Sequence, residues 1–231
     1  MNAEDVILLA AGQYNDTAFA RIKESSADGQ PNWLDWLNDA QRAVVLVRPD
    51  ANSVVANLAL VAGTKQTIPP GYTRMLGVTR NMGAGGNTPG KTIRLIDRQT
   101  LDDYNRDWHN DTASTSVEEI VYDDKKTPTV FYTVPPMSGA TQIEAQLAKL
   151  PSNIAVPGDP IELSDVYVPP MVEWMLYRAY SLQAQAQGLT QRAAGHYQSF
   201  FNLLGVKLRG DFFFSSRQNG QYPLGVPNAP G

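Results

Sequence analysis

A glycine-rich stretch in the first half of the chain has the residue types of a phosphate-binding loop. Residues 83–92 read GAGGNTPGKT, and from Gly85 onward they fit the pattern G-x-x-x-x-G-K-[ST]. In a P-loop of this pattern, backbone N–H groups surround the phosphates, the Lys reaches them and the hydroxyl holds Mg²⁺. That chemistry also needs a buried apolar strand before the loop and a helix that begins at the Lys. The flanking sequence therefore decides whether Gly85, Gly90, Lys91 and Thr92 could hold a nucleotide.

Both flanks of this loop argue against nucleotide binding. The entering segment 75–83, MLGVTRNMG, contains a glycine, an arginine and an asparagine, whereas a buried parallel strand is apolar throughout. On the other side, Thr100 and Asp103 form a capping-box pattern, which predicts a helix over 100–107 and leaves 92–96 extended. We therefore expect the loop to be the long tip of a hairpin between two antiparallel strands.

The remaining candidates for acid–base or metal chemistry are two histidines and three acidic pairs. His109 follows Trp108 and is expected to be part of an aromatic anchor, whereas His196 is expected to be a packed or interfacial side chain. Two isolated histidines do not make a three-ligand metal site, and adjacent carboxylates on a strand point to opposite faces. The chain has no cysteine, so cysteine nucleophiles and thiolate metal sites are excluded. We predict no catalytic residue, no metal and no cofactor. The acidic pairs are Asp102-Asp103, Glu118-Glu119 and Asp123-Asp124.

The composition indicates a soluble globular protein that is not a dedicated nucleic-acid binder. The 231 residues allow one large domain or two small ones, and 42% of them are hydrophobic. The formal net charge of −4 differs from that of nucleic-acid binders, which carry a basic face. No apolar run approaches the roughly 18 residues that a membrane span needs, and the N-terminus is acidic where a signal peptide is basic. We therefore expect a protein that is made inside the cell and has no membrane association.

Helices are predicted at the N-terminal end of the chain. Residues 4–11 predict a short helix, and residues 15–23 predict a second one with an Asn-Asp start. The clearest helix spans 33–47, because its apolar residues follow the i, i+3, i+4, i+7 spacing of one helix face. Asn32 is its expected N-cap and Pro49 its stop signal.

Residues 53–151 are rich in β-branched and aromatic residues, which predicts a β-domain. The turn sequence DDKKTP favours a hairpin between the two strands on either side of it. In the last strand, Ile143, Ala145 and Leu147 alternate with polar residues and are expected on one face. The expected strands are 54–61, 74–82, 92–96, 116–122, 129–134 and 141–150.

Helices are predicted again near the C-terminal end, followed by an extended tail. One helix is expected over 169–187 and a second over 190–204, with glycines after each. The tail from residue 207 has no periodicity but contains large apolar groups. Such groups in water cost about 25 cal/mol per Å², so we expect the tail to dock on its own domain, a neighbouring subunit or a partner. The residues expected to dock are Arg209, Phe212, Phe213, Phe214 and Tyr222.

Together these elements predict an α+β fold. The N- and C-terminal helices are expected to form a helical bundle, with an inserted antiparallel β-domain and an extended C-terminal tail. The expected divisions are 1–52, 53–151, 152–206 and 207–231.

The order of these parts resembles the head-to-tail connectors, or adaptors, of short-tailed bacteriophages, of the tail tubular protein A type. The resemblance extends to about residue 206 and rests on pattern and order rather than on a catalytic signature. The segments that carry it are NWLDWLNDAQRAVVLVRPDA, GKTIRLIDRQTLDDYNRDWH, KKTPTVFYTVPP, LSDVYVPPMVEWMLYRAYSLQAQ and AAGHYQSFFNLLG.

This resemblance implies a structural virion protein of the neck or tail, made in the host cytoplasm. The family forms a dodecameric ring that bridges the portal protein and the tail nozzle protein and lines the channel through which DNA passes without sequence-specific binding. The C-terminal tail would then reach along the portal, and the long helices would contact neighbouring copies. The helix residues expected at subunit contacts are Trp174, Tyr177, Tyr180, Tyr197 and Phe200.

Three other functions remain open at this point. One is a different ring component of a phage neck or tail, a stopper or terminator, although such proteins are usually shorter and lack the long C-terminal helix pair. Another is a P-loop enzyme that uses Lys91. The third is a carbohydrate- or protein-binding β-module, against which the helices at both ends of the chain argue.

Overall fold

The computed structural model describes residues 1–182 and 188–214, and over 206–214 it describes the backbone alone. The described residues have a mixed α+β fold, as the sequence predicts. Five α-helices occur among them: α1 (Ala3–Gln13), α2 (Trp33–Val47), α3 (Arg98–Tyr104), α4 (Val168–Leu182) and α5 (Leu189–Phe214). The strands are β1 (Ser53–Leu60), β2 (Gly63–Thr67), β3 (Tyr72–Gly83), β4 (Arg94–Ile96), β5 (Glu119–Tyr122), β6 (Val130–Met137) and β7 (Thr141–Lys149).

Helix α2 has the predicted bounds because its start and its end are both encoded locally. The side chain of Asn32 accepts a hydrogen bond from the backbone N–H of Asp35 at 2.9 Å and caps the first turn. The helix ends one residue before Arg48, which precedes Pro49 and has a non-helical backbone. Local signals therefore suffice for this element.

The short helix predicted over 15–23 is wrong, because a buried carboxylate organises this segment as a loop. Asp16 accepts backbone hydrogen bonds from Ala20 and Ile22, each at 2.9 Å. Phe19 has a positive φ of 53°, which no right-handed helix contains. The Asp that looked like a helix cap instead binds N–H groups four to six residues further on.

The strands form two sheets that face each other. The first has the order β1-β7-β3 and the second β2-β6-β5-β4. All pairs are antiparallel except β4 with β5, which is parallel. The predicted hairpin is confirmed as β5–β6, whereas β2 was not predicted because its sequence, GTKQT, carries no apolar pattern.

A hydrophobic core fills the space between the two sheets. Ile143, Ala145 and Leu147 of β7 are fully buried there, which confirms the predicted face of that strand. They pack with Phe131 of β6 and Ile120 of β5 from the opposite sheet. The β-rich part of the chain therefore has a core of its own.

The outer face of the four-stranded sheet is covered by α3 and the turn that follows it. Leu101 of α3 and Trp108 pack with Val121 and Val134 in a separate small cluster. The side chain of Asp97 caps α3 by accepting from the backbone N–H of Gln99 at 2.8 Å. The helix start predicted near residue 100 is therefore wrong by two residues, because Asp97 supplies the cap.

Helices α1, α2, α4 and α5 share a second, larger core. Helix α4 lies at its centre, since it packs against each of the other three and none of its residues from 170 to 181 is exposed. From α5, the side chains of Phe200 and Leu204 enter this core. Among these four helices α4 is therefore the most enclosed, and α5 leaves much of its own surface exposed.

The C-terminal helix is longer than predicted. α5 continues to Phe214, so the extended conformation expected from residue 207 is wrong for 207–214. Gly205 does not end the helix because it does not adopt the positive φ of a helix-ending glycine. Glycine within a helix costs only about 1 kcal/mol relative to alanine, which the rest of the helix offsets. Tyr222 lies outside the described residues.

Candidate subunit and partner interface

The glycine-rich loop connects two strands rather than a strand and a helix. The backbone N–H groups of Asn81 and Ile93 donate to the carbonyls of Lys91 and Thr79, at 3.0 and 3.2 Å. The segment after the loop therefore runs antiparallel to β3, as expected for a hairpin. It then continues into β4, which pairs with β5 of the other sheet. No helix begins at Lys91, so the loop lacks the helix N-terminus that a P-loop uses to bind phosphate.

The glycines of this loop allow a close approach to the three-stranded sheet. Asn57 of β1 donates to the carbonyl of Gly86 at 2.6 Å, and Gln142 of β7 donates to the carbonyl of Ala84 at 3.2 Å. Gly86 has a φ of 72°, and a Cβ there would lie 2.3 Å from Oε1 of Gln142. At Gly86 the requirement for glycine therefore comes from the positive φ and from contact with the sheet.

Asn81 fixes the base of the loop. Its side chain is buried and forms a two-way pair with the backbone of Val117, donating to the carbonyl and accepting from the N–H, each at 2.8 Å. The same amide donates to the carbonyl of Lys91 at 3.0 Å. Sequence reasoning used Asn81 only as evidence against a P-loop strand and missed this role.

The first histidine belongs to an aromatic anchor, as predicted. The ring of His109 stacks on the buried Trp108 at 3.4 Å, and its Nδ1 lies 3.2 Å from Oγ1 of Thr64. The indole N–H of Trp108 donates to Asp102 at 2.9 Å. This hydrogen bond holds the pKa of Asp102 below its ordinary value.

Asp123 acts as a turn residue, in agreement with the sequence reading of the acidic pairs. Its carboxylate accepts from the backbone N–H groups of Lys126 and Lys125, each at 3.1 Å. These bonds hold the pKa of Asp123 below its ordinary value, with the Lys126 bond as the largest cause. The carboxylate therefore stabilises the β5–β6 turn.

The second histidine joins α4 to α5. Nδ1 of His196 lies 2.8 Å from Oε2 of Glu173, and the histidine ring is parallel to the ring of Tyr180 at 5.3 Å. Tyr180 in turn meets Tyr14, which follows α1, at 5.0 Å. His196 is thus packed against its own chain.

The five aromatic residues expected at subunit contacts lie on α4 and α5, and four of them form one cluster. The ring of Trp174 lies 4.9 Å from Phe200 and 5.4 Å from Tyr177, and Tyr177 lies 5.1 Å from Tyr197. Tyr180 lies on the same two-helix surface, against His196. Phe200 is fully buried in the chain's own core, whereas 43% of Tyr197 is exposed.

Phe201 extends this cluster to the surface, and the sequence analysis did not single it out. Its ring lies 4.9 Å from that of Tyr197, and 40% of the residue is exposed. The sequence signal was available, since Phe200 and Phe201 are adjacent on a helix and cannot both face the same core.

A shallow apolar cleft of about 410 Å³ lies next to the cluster, where the helices meet the three-stranded sheet. Leu46 of α2, Leu150 and Trp174 line it, and Leu46 is 78% exposed. Large exposed apolar groups of this kind mark surfaces where proteins bind one another.

The structure describes the backbone of four of the five residues expected to contact the portal, and the fifth, Tyr222, lies outside the described residues. Arg209 and the three phenylalanines at 212–214 lie on the last turns of α5, where the backbone is helical. This end of α5 extends past Leu204, the last of its residues in the helical core.

The family model of the SU10 adaptor protein matches residues 1–226. The chain belongs to the SU10 adaptor protein family. This family comprises structural, phage head-to-tail adaptor proteins, so the broader prediction of a phage adaptor is confirmed, and the narrower tail tubular protein A type stays a prediction. No curated protein matches the chain significantly.

Within residues 1–182 and 188–214, no helix combines the length and the apolar character needed to cross a bilayer. In the same part of the chain, no three side chains of the His, Cys, Asp and Glu type come together as a metal site. The family implies a non-enzymatic role.

Proposed function

We propose that this chain forms a ring in the virion neck that joins the portal protein to the tail nozzle protein. The observation that carries this proposal is the match of the adaptor family model over residues 1–226. An adaptor of this kind needs contacts of two kinds, those between its own copies and those with the portal and tail nozzle proteins. The exposed surfaces of α5 and of the helix–sheet junction provide candidate areas for both.

The aromatic cluster on α4 and α5 supports the contacts between copies. Tyr197 and Phe201 are exposed at its edge, and Trp174 and Phe200 pack behind them. Aromatic side chains that are held rigid lose little conformational entropy on binding, which favours tight protein interfaces. We assign the outer, exposed part of the cluster, with Tyr177 and Tyr180 beside it, to subunit contact.

The C-terminal end of the chain supports the portal contact. Residues 207–214 continue α5 beyond the helical core, and the sequence there contains Arg209 followed by three phenylalanines. We assign Arg209, Phe212, Phe213, Phe214 and Tyr222 to the portal-binding segment.

A net charge of −4 is compatible with a ring that surrounds DNA without holding it. Proteins bind the DNA backbone by neutralising its phosphates with Lys and Arg. A ring of mildly acidic subunits lets the genome pass through a dodecameric channel without adhesion.

The test is to image the purified full-length chain by negative-stain electron microscopy, alone and after mixing with the portal protein of the same phage. We expect rings of this chain on one face of the portal in the mixture. Phage particles whose necks lack the chain would contradict the proposal. A nucleotide titration of the wild-type chain, with Lys91→Ala as its control, tests the P-loop alternative. We expect that neither chain binds nucleotide.

A further inference from the structure

Strand β1 lies at an edge of the three-stranded sheet and has a partner on one side only. The sheet order is β1-β7-β3, and residues 53–60 pair with β7 over their whole length. Apart from that pairing, no described residue forms a hydrogen bond with the backbone of β1. An unpaired edge of this kind presents a row of N–H and C=O groups that another extended chain can bind.

The other three edges of the two sheets are protected, whereas β1 is not. β2 has five residues with a register shift and a lysine, and β4 has three residues with an arginine. The edge of β3 has several register shifts and is bridged by residues 91–93. β1, with the sequence SVVANLAL, pairs regularly over eight residues and contains no charge and no proline. Short strands, bulges, charges and prolines keep edges from pairing, so β1 alone among the described edges is open to a further strand.

The contacts at the end of β7 show which residues of β1 point outward. The carbonyl of Lys149 accepts from Asn52, just before β1, at 3.2 Å. The N–H of Leu150 instead donates to Gly71, just before β3, at 2.8 Å. Since alternate residues of a strand face opposite neighbours, the odd-numbered residues of β7 face β1, where the even-numbered residues oppose them. The odd-numbered residues of β1 therefore direct their N–H and C=O groups to the open edge. Those beyond its first residue are Val55, Asn57 and Ala59.

The core between the sheets is also open at this edge. Leu58 and Leu60 of β1 are buried in it. Val54 and Ala56 point to the same face of the strand but are only partly buried. A strand that completes the edge needs an apolar face to cover these two side chains, together with a full set of main-chain donors.

Residues 221–227, QYPLGVP, have the sequence pattern of such a strand and lie outside the described residues. Tyr222, Leu224 and Val226 alternate with other residues, which is the pattern of one apolar strand face. The two prolines of the segment both fall on the intervening positions. Proline lacks an N–H group and is tolerated in a strand where that position faces solvent. The edge formed by the three apolar residues therefore has every donor that pairing needs.

The direction of the added strand follows from the same positions. In a strand of L-residues, the face to which a side chain points and the direction of the chain together fix the edge that its N–H and C=O groups face. With Tyr222, Leu224 and Val226 on the core side, their main-chain groups turn to β1 only when the segment runs parallel to β1. An antiparallel segment would turn the prolines to β1 instead. The sequence therefore fits a parallel strand.

Helix α5 runs back along α4 towards the start of α4. Tyr180, near the end of α4, meets His196, near the start of α5. Trp174, earlier on α4, meets Phe200, later on α5. The two helices are therefore antiparallel, and the last turns of α5 extend beyond the first residue of α4.

The start of β1 lies at this same end of α4. Nδ2 of Asn52, the residue before β1, donates to Oε2 of Glu162 in the loop that leads into α4, at 3.3 Å. Residues 215–221 link α5 to the segment, and seven residues span at most about 23 Å. A segment on so short a tether has an effective concentration in the millimolar range, which favours the β1 edge of its own chain over that of a second copy. It also arrives at the first residue of β1, as a parallel strand requires.

We propose that residues 221–227 pair with β1 of the same chain in the free protein, as a fourth and parallel strand of the three-stranded sheet. The inference goes beyond the proposed ring and concerns the chain before assembly. Tyr222 is also assigned to the portal contact, so the segment leaves β1 when the portal binds it. Pairing with β1 thus keeps part of the portal-binding segment covered until the portal is present.

Amide hydrogen exchange measured by NMR tests the pairing residue by residue. The full-length chain is compared with a chain that lacks residues 215–231. We expect the N–H groups of Val55, Asn57 and Ala59 to exchange at least about tenfold more slowly in the full-length chain, because only there do they have a partner. The N–H groups of Ala56 and Leu58 bond to β7 in both chains and are the internal control. Equal exchange of the three outward N–H groups in the two chains overturns the inference.

Proline substitutions in the full-length chain test which edge of the segment is used. Leu224→Pro removes an N–H group that faces β1, so the outward N–H groups of β1 should exchange as in the shortened chain. Gly225→Pro adds the same ring one position later, on the outward edge, and should preserve the protection. Leu224→Ala separates the loss of the N–H group from the loss of the side chain and should preserve most of it. Equal exchange in the two proline variants contradicts the proposed pairing.

A mixing experiment decides whether the segment comes from the same chain. Isotope-labelled chain without residues 215–231 is mixed with unlabelled full-length chain, and exchange is measured on the labelled one. We expect no protection of its β1 edge. Protection in the mixture would assign the segment to a second copy and overturn pairing within one chain.

Adding the portal protein tests the release of the segment. Exchange of a peptide covering residues 53–60, followed by mass spectrometry, should rise in the portal-bound chain to the level of the shortened chain. A β1 edge that stays protected in the bound chain overturns the release. Failure of the chain to bind the portal at all would count against the adaptor function and leave the pairing in the free chain standing.

Discussion

At the scale of single residues, buried polar side chains organise the irregular parts of the chain. Asp16 binds the backbone N–H groups of the loop after α1, and Asn81 binds the backbone of Val117 and Lys91. In both cases one buried side chain satisfies several main-chain groups of an irregular segment, and some of these groups are themselves buried. These residues look unremarkable in the sequence, yet they determine where the loops run.

Replacing Asn81 with alanine should destabilise the protein. The N–H and C=O of Val117 would lose their partners in a buried position, which costs about 2–4 kcal/mol in total. Urea unfolding followed by tryptophan fluorescence measures the loss. Asn87→Ala, in the exposed part of the same loop, is the matched control and should change the free energy of unfolding by less than about 0.5 kcal/mol. Equal stability of both variants would contradict the role assigned to Asn81.

The carboxylate of Asp102 should add a defined acid dependence to the stability of the protein. The hydrogen bond from Trp108 lowers the pKa of Asp102 in the folded chain, so the ionised form is favoured by folding. This stabilisation is complete above the unfolded pKa of about 4 and is lost as the pH falls through the lower folded pKa.

Thermal melts of the wild type and of Asp102→Asn between pH 6 and pH 2.5 measure this effect. The two melting temperatures should differ most at pH 6 and converge as the solution is acidified. Asp103→Asn, the exposed neighbour, should follow the wild-type profile. A constant difference between wild type and Asp102→Asn at every pH would show that ionisation plays no part.

At the scale of elements, two adjacent phenylalanines of α5 have different surroundings. Phe200 is fully buried against Trp174, and Phe201 is 40% exposed. Phe200→Ala should therefore cost about 3–5 kcal/mol of stability, whereas Phe201→Ala should cost less than about 1 kcal/mol. Denaturant unfolding of the two variants side by side gives the comparison. Similar losses would mean that the exposed flank of α5 is packed in the free chain.

Elements with local start and stop signals could be predicted from the sequence, and those without them could not. α2 has a cap, an apolar stripe and a proline, and its bounds were predicted. β2 is polar and forms only because β6 offers it a partner across the sheet. The end of α5 was missed because a helical glycine and a helix-ending glycine look identical in a sequence.

The same limit applies to the candidate interface. The helical spacing of α4 and α5 identifies their apolar residues, but spacing does not show whether a residue faces its own core or another chain. The five predicted contact residues accordingly include the fully buried Phe200, and the exposed Phe201 was passed over. Only the packing of α5 on α4 shows that Phe200 faces the chain's own core and that Phe201 does not.

At the scale of the whole molecule, the described residues enclose two large hydrophobic cores. The sheets enclose one core and the helices α1, α2, α4 and α5 enclose the other. The described surface of the helical part retains exposed apolar groups on α1, α2 and α5, which a lone soluble domain would expose at a cost. An adaptor between larger assemblies has partners to cover them.

The C-terminal end of the chain should be needed for portal attachment but not for folding. Deleting residues 207–231 leaves Leu204, the last α5 side chain of the helical core, in place, so the melting temperature should fall by no more than a few degrees. Deleting 215–231 alone retains the helix end with its three phenylalanines and removes Tyr222.

Co-sedimentation of each truncated chain with the portal protein measures attachment. The longer deletion should abolish binding, because it removes every residue assigned to the portal contact, and the shorter one should weaken it. If the chain without 207–231 attaches as well as the wild type, the portal must be bound by another surface, for which the cleft beside Leu46 and Trp174 is the next candidate.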